Sequence, residues 1–413
     1  MKRKTLGIIG GGAAGMVAAI TAARQGADVT ILERNDRVGK KILITGNGKC
    51  NLGNYQLSAQ QYYGSSQEWL ESALDRFGTQ DAIAFFQGLG LLIKEKNGYL
   101  YPAGEQAALV LDVLRFEMQA LGIKVLGECK INHIEKKHDT GKIMVSDGSI
   151  SYEFDAVILA CGSKAAPKTG SDGSGYKLAK KLGHHIIPTV PALVQLRCRE
   201  DYLKAVAGVR ADGMVQIYHE GECVACERGE IQFTEYGISG IPVFQISRIA
   251  NYILRESKEV RVIINLLPDY SEEGYEGLRA GRSLLQNDRT VEEFFTGMLN
   301  KKLMQLFIKM AGLKGNIPIE QADAEAINHV YELCRCWELH VTGSNPYENA
   351  QVCAGGVDTG EITSNMESKL VSGVYFAGEI MDVDGKCGGY NLQWAWCSGA
   401  IAGNAAGAIS RQE

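Results

Sequence analysis

The apolar positions of this 413-residue chain fall into three patterns. Short continuous runs come first. Residues 6–9, 29–32 and the DAVILACG segment 155–162 are apolar at nearly every position, as strands covered on both faces are. A helical spacing of small and apolar residues over 13–24 joins the first two runs, and Gly26 stops it. Strand, helix, strand in that order predicts a βαβ unit and a parallel sheet. Helical periodicity returns at 69–77, 81–89, 105–121 and 175–182. Strands are expected at 124–126 and 129–137, the second entering a hairpin through 139–141 and 146–148. In GYLYP, residues 98–102, Tyr99 and Tyr101 alternate with Leu100 and so share a face.

A second pattern starts where Pro188 and Pro191 bracket a change of character. Short strands at 214–218, 222–226 and 230–233 are separated by glycine turns, and a helix at 241–254 and a strand at 260–266 follow. Residues 271–333 form the third, mainly helical pattern. Its clearest helix starts at Thr290, where Glu293 completes a capping box, and keeps one apolar face from Val291 to Met310. A strand at 337–342 carries His340, read as packed and not catalytic, and a strand at 374–377 runs into Gly378.

Three constellations add chemistry to these elements. The first βα turn reads G-x-G-x-x-G. Gly10 permits the tight turn, Gly12 lets a pyrophosphate approach the backbone, and Gly15 brings the helix close to the sheet. The helix start at Ala13 and Ala14 offers unpaired N–H groups to phosphate. Glu33 ends the second strand, where a carboxylate can accept ribose hydroxyls. Together they predict a dinucleotide site.

The second constellation is the polar loop from Arg34 to Asn54. Lys40, Lys41 and Lys49 are interleaved there with Gly39, Gly46 and Gly48, a composition that wraps an anionic ligand. Cys50 and Asn51 close it, with the thiol read as a small packing residue. Ala160 and Gly162, at the small-residue end of DAVILACG, let a cofactor lie over the strand tip. The third constellation is AGEIMDVDGKCGGYNLQWAW. Glu379, Asp382 and Asp384 lie just past a strand end, and Gly388 and Gly389 open a helix at Tyr390. Ligands of open α/β sheets sit at such carboxyl ends.

Composition narrows the class. Apolar residues make up 45% and charged residues 22%, so the chain reads as a soluble globular protein. Its length calls for two or three domains. A net charge of −5 gives no overall attraction to nucleic acid or an anionic membrane. The MKRK start before small apolar residues imitates a secretory leader, but cleavage there would remove the first strand and phosphate turn. No other run approaches the ~18 uninterrupted apolar residues of a membrane span. The eleven cysteines are expected to be reduced in a cytoplasmic protein. Cys223 and Cys226 form C-x-x-C and Cys334 and Cys336 form C-x-C. Neither has the His partners of a zinc site, so no metal is expected.

With these motifs in hand, the chain resembles the bacterial NAD(P)/FAD-dependent oxidoreductases that include bile-acid Δ4,6-reductase-type flavoproteins. The resemblance covers essentially the whole length and is most specific in AGEIMDVDGKCGGYNLQWAW. It implies a Rossmann-like FAD-binding domain of glutathione-reductase type, discontinuous over 1–190 and 344–413. It also implies an inserted β-barrel domain, 191–268 with 335–343, and a helical subdomain, 269–334. It carries non-covalent FAD contacts to Ala14, Gly15, Glu33, Lys40 and Lys41, and a backbone contact with adenine to Ile131. Gly378, Glu379, Asp384, Asn391 and Leu392 match the ribityl and flavin end. In FTEYGISGIPVFQIS the family usually carries a His where this chain has Tyr236 or its neighbour.

No second complete G-x-G-x-x-G is present, so NAD(P)H is expected to visit the flavin transiently. The expected reaction is reduction of an activated C=C bond in a small apolar substrate, such as a 3-oxo-4,6-diene bile acid. An oxygen-using amine oxidase of aminoacetone type and an RNA-associated flavoprotein are the alternatives. The catalytic acid is not readable. Tyr99, Tyr101, Cys50 and Tyr390 are candidates by position alone.

Overall fold

The computed structural model describes residues 3–256, 259–284 and 288–408; Met1 and Lys2, which head the leader-like MKRK, lie outside them. The chain divides into two compact units. One is Met1–Val190 together with Gln351–Glu413, and the other is Pro191–Ala350.

The first unit is built on a five-stranded parallel sheet. Its order is Val374–Phe376, Ala156–Leu159, Thr5–Ile9, Asp28–Leu32 and Lys124–Leu126. The three central strands are almost wholly buried, which accounts for their continuous apolar runs. Because every neighbour is parallel, Gly10, Glu33, Ala160 and Ala377 all emerge at one edge. Helix Ala13–Arg24 follows the first strand, and helix Tyr390–Gly407 ends the described chain. These two helices touch backbone to backbone. A Cβ on Gly399 would lie 2.5 Å from the Ala14 carbonyl oxygen, and one on Gly403 would lie 2.4 Å from that of Ala18. The small residues of both helices are therefore a packing requirement, one glycine per turn along the seam.

Among the described residues, three smaller sheets lie wholly within this unit. Gly53–Asn54, Tyr99–Pro102 and Ile93–Lys96 form one, and Tyr62–Gly64 pairs with Val383–Gly385 in another. In the third, His133–Lys136, Ile143–Ser146 and Ser151–Phe154 pair antiparallel. The strand expected at 129–137 thus begins only at His133. Ahead of it the backbone is spent elsewhere: the Cys129 N–H donates to the Glu33 carbonyl at 2.9 Å, and buried Ile131 lies in the connecting loop.

The second unit is a closed six-stranded barrel, in the order Leu196–Cys198, Gly237–Ser239, Glu222–Thr234, Arg210–His219, Val260–Asn265 and Trp337–Ser344. Its inward residues share one core with helices Ile241–Glu256, Lys301–Met310 and Ala324–Arg335. Two expectations are corrected. The strands expected at 222–226 and 230–233 are one strand, because Gly229, at φ 151°, stays in the ladder opposite Gly213. The single helix expected over 290–310 is two. Thr290 and Glu293 do form the capping box, but Val291–Phe295 ends before Gly297 at φ 87°, and Asn300 caps a new helix by accepting from the Lys302 N–H.

Among the described residues no helix is long and apolar enough to cross a membrane, and no group of His, Cys, Asp or Glu is suited to hold a metal. All eleven cysteines are free thiols. His340 is half-buried and its Nδ1 lies 2.9 Å from Glu200.

Candidate functional site

The site grows out of the carboxyl edge of the parallel sheet. Gly10 turns the chain at φ 105°, and a Cβ there would lie 2.5 Å from the Ala160 carbonyl oxygen. Gly15 packs closer still, its Cβ position only 2.0 Å from the Gly10 oxygen. Gly12 differs. As N-cap of the first helix it supplies no side-chain cap, and a Cβ would meet nothing within 4 Å. The first N–H groups of this 12-residue helix, including those of Ala13 and Ala14, thus have no side-chain cap, as a pyrophosphate site requires.

Glu33 is buried at 6% exposure. Its Oε2 accepts from the Gly11 N–H at 2.7 Å, and its Oε1 accepts from the backbone and side-chain nitrogens of Asn35, both at 2.9 Å. Oε2 keeps a lone pair for a ribose hydroxyl. Next to it, Arg34 pairs with Asp172, and Lys130 lies 3.5 Å from the same carboxylate. Burial alone would raise the Asp172 carboxyl; bonds from Ser174 and Arg34 outweigh it and hold the group well below the usual carboxylate range. This cluster lies beside Glu33, with Ile131 in the loop beyond Cys129.

The wrap loop is a kinked turn, Ile42–Gly48, with Gly46, Asn47, Gly48 and Cys50 all at positive φ. The three lysines separate. Lys40 pairs with exposed Asp36 at 2.7 Å. Lys41 pairs with Glu379 at 2.6 Å, and Ser163, beside Gly162, donates to the same Glu379 oxygen at 3.1 Å. Lys49 pairs instead with Glu105 at 2.8 Å. The structure therefore joins Lys41 of the loop to Glu379 of the last constellation, and sets Lys40 and Lys49 apart from that pair. Cys50 is fully buried, and burial pushes its thiol up to about 12, so it stays protonated.

At the last constellation, a Cβ on Gly378 would lie 2.8 Å from that of Ala14, and the Gly378 N–H donates to Ser398. Buried Asp384 belongs to the strand Val383–Gly385. Gly389 caps the final helix at φ 90° without a side-chain bond, leaving the N–H groups of Tyr390, Asn391 and Leu392 at an uncapped start. The Asn391 side chain is occupied: its Oδ1 accepts from the Gly385 N–H and its Nδ2 donates to the Gly385 carbonyl, both at 2.8 Å. It holds the turn in shape. The turn is also clamped from outside. The Asn54 amide donates to the Gly388 carbonyl at 3.3 Å, the Tyr62 hydroxyl donates to the Tyr390 carbonyl at 2.8 Å, and the Asn51 amide reaches the carbonyls of Leu100 and Gly53.

Sequence reasoning missed Ser163 and Asn35. Asn35 follows the Glu33–Arg34 pair directly, and an Asx residue there signals a local side-chain bond. Ser163 carried no signal, since Glu379 reaches it across 216 positions.

Two helix starts, two carboxylates and a lysine loop around one sheet edge suit an extended, doubly phosphorylated ligand. Residues 4–405 match the family described as HI0933-like protein Rossmann domain. A 3-dehydro-bile acid delta(4,6)-reductase of Clostridium scindens is 43% identical over 97% of this chain and 98% of its own. A ribosomal RNA dihydrouridine synthase of Haemophilus influenzae is 32% identical over 95% of both chains. Among solved structures, a 3-ketosteroid delta1-dehydrogenase from Sterolibacterium denitrificans shares the fold with a TM-score of 0.50 at 11% identity, over 98% of this chain and 100% of its own. The protein is an oxidoreductase with a Rossmann-like fold. It belongs to the HI0933-like Rossmann-domain family.

Proposed function

We propose that the chain is an FAD-dependent reductase of C=C bonds conjugated to a carbonyl, with NAD(P)H as the transient reductant. A small apolar enone of the 3-oxo-4,6-diene steroid class is the proposed substrate. The observation that carries this is the near-complete match to the bile-acid reductase, at 43% identity over 97% of the chain. The geometry fits FAD. The open helix start at Gly12 takes the pyrophosphate and Glu33 the adenosine ribose. Lys41 and Glu379 lie along the ribityl stretch, and the uncapped start at Gly389 faces the flavin. Bound there, FAD supplies two-electron transfer to carbon. The protein's own residues bind, orient and exclude water. The proposed location is the cytoplasm, with no nucleic-acid or membrane partner.

A second reading has a specific basis. The rRNA dihydrouridine synthase relative matches almost end to end. Uracil also presents a C=C bond conjugated to a carbonyl, so the same chemistry would serve an RNA base. The net charge of −5 favours the small substrate. Purified protein should release FAD on denaturation, and the bound flavin should bleach anaerobically with NADH or NADPH. Protein that stays colourless after FAD is added contradicts the proposal. Peroxide formation with a small amine and no nicotinamide oxidation would point to the amine oxidase instead.

A further inference from the structure

The four tyrosine and cysteine candidates for proton delivery are not equivalent in the fold. Cys50 is buried and protonated. Tyr390 is 5% exposed, its ring set edge-on against Tyr62 and its hydroxyl turned to the Gln56 carbonyl at 3.4 Å. Tyr99 and Tyr101 lie on the open face of the strand Tyr99–Pro102, while Leu100 between them is buried. This strand sits on the turn that opens the final helix: the Tyr99 ring lies 2.9 Å from the Cβ position of Gly388. Tyr101, two positions on, lies on the same face of the strand.

Both tyrosines face a lysine across the strand pair, Tyr99 opposite Lys96 and Tyr101 opposite Lys94, but only the second lysine joins a larger charged array. The Lys94 ammonium pairs with Glu105, whose other carboxylate oxygen holds Lys49 at 2.8 Å. Glu105 adopts φ 50° to reach both. The two ammonium groups hold its carboxyl down to about 2, so the array carries a net positive charge at neutral pH. Burial, with the Tyr99 phenol and Glu105 beside it, keeps the Tyr101 hydroxyl protonated, and Lys49 opposes them by favouring the phenolate.

We propose that Tyr101 is the proton donor of the reduction, with Lys49, fixed by Glu105 and Lys94, as the positioning cation that stabilises the phenolate it leaves. This rests on the function proposed above. The substrate gains a hydride at the β-carbon, with both electrons derived from the nicotinamide reductant. The Tyr101 O–H bond breaks as a C–H bond forms at the α-carbon, the carbonyl is restored, and water reprotonates the phenolate.

The test separates the half-reactions by anaerobic stopped flow. Tyr101→Phe should keep its flavin and its rate of reduction by NAD(P)H, while reoxidation by the enone slows about 100-fold. Lys49→Met should slow the same step about tenfold, and Lys49→Arg should restore most of it. The apoprotein gives a readout independent of turnover. In ultraviolet difference titration, Tyr101→Phe should lose one phenol transition, which Lys49→Met should move to higher pH. Wild-type reoxidation rates in Tyr101→Phe overturn the donor assignment, and an unmoved phenol in Lys49→Met overturns the role of Lys49. A reduced wild-type enzyme that no conjugated acceptor reoxidises overturns the proposed function and this inference together.

Discussion

The two glycine-opened helix starts of the first unit look alike in sequence and differ in surroundings. At Gly12 a Cβ would meet nothing, and the acid that completes the site stands 21 positions on. At Gly389 a Cβ would strike the Asn51 side chain at 2.6 Å and the Gly53 carbonyl at 2.8 Å. The first start is open and self-contained. The second is held by strands brought from residues 51–102, so it is a built surface. An open start binds what any dinucleotide shares, its phosphates. A clamped one can position the reacting end of a particular cofactor, because its neighbours cannot shift.

Substitutions along the seam between the two helices should have the largest effect. Gly403→Leu forces a side chain against the Ala18 backbone and should cost about 3 kcal/mol or more. Urea denaturation would read this as a fallen midpoint with loss of bound flavin. Gly12→Ala tests the other half of the contrast. Stability should stay within about 1 kcal/mol of wild type, while FAD binding weakens at least tenfold because the new methyl fills the phosphate space. Equal loss of stability in both variants would erase the distinction drawn here.

Glu33→Ala leaves the Gly11 and Asn35 donors without their acceptor, at a cost of about 1–3 kcal/mol. FAD titration should show the loss mainly in affinity. Lys41→Met breaks a partly exposed pair and should weaken FAD only a few-fold.

The smallest effect concerns pH. The folded Asp172 carboxyl is depressed, so its stabilisation is present above the unfolded value near about 4 and is lost as pH falls through the folded one. Asp172→Asn should therefore lie below wild type at pH 7 in thermal denaturation. The gap should narrow as pH falls below about 4.

Legibility in the sequence followed locality. The first βαβ unit was readable because its strand, turn, helix and acid are contiguous, and buried parallel strands carry an unbroken apolar signature. Gly229 misled because glycine usually marks a turn, whereas opposite Gly213 it continues a strand. Gly297 misled in the other direction: the apolar face persists from Val291 to Met310 while the backbone breaks beneath it. The Lys41–Glu379 pair spans 338 positions, and spacing along the chain cannot encode such a contact. The cross-strand meeting of Lys94 with Tyr101 depends on a register fixed only by pairing.

The central claim is that this chain holds FAD and passes its electrons to a conjugated C=C bond. Anaerobic titration of the reduced holoenzyme with a 3-oxo-4,6-diene steroid tests it most directly. The account predicts stoichiometric return of the oxidised flavin spectrum, with one C=C bond reduced per flavin. A reduced flavin that persists through excess enone, and reoxidises only when oxygen is admitted, would contradict it.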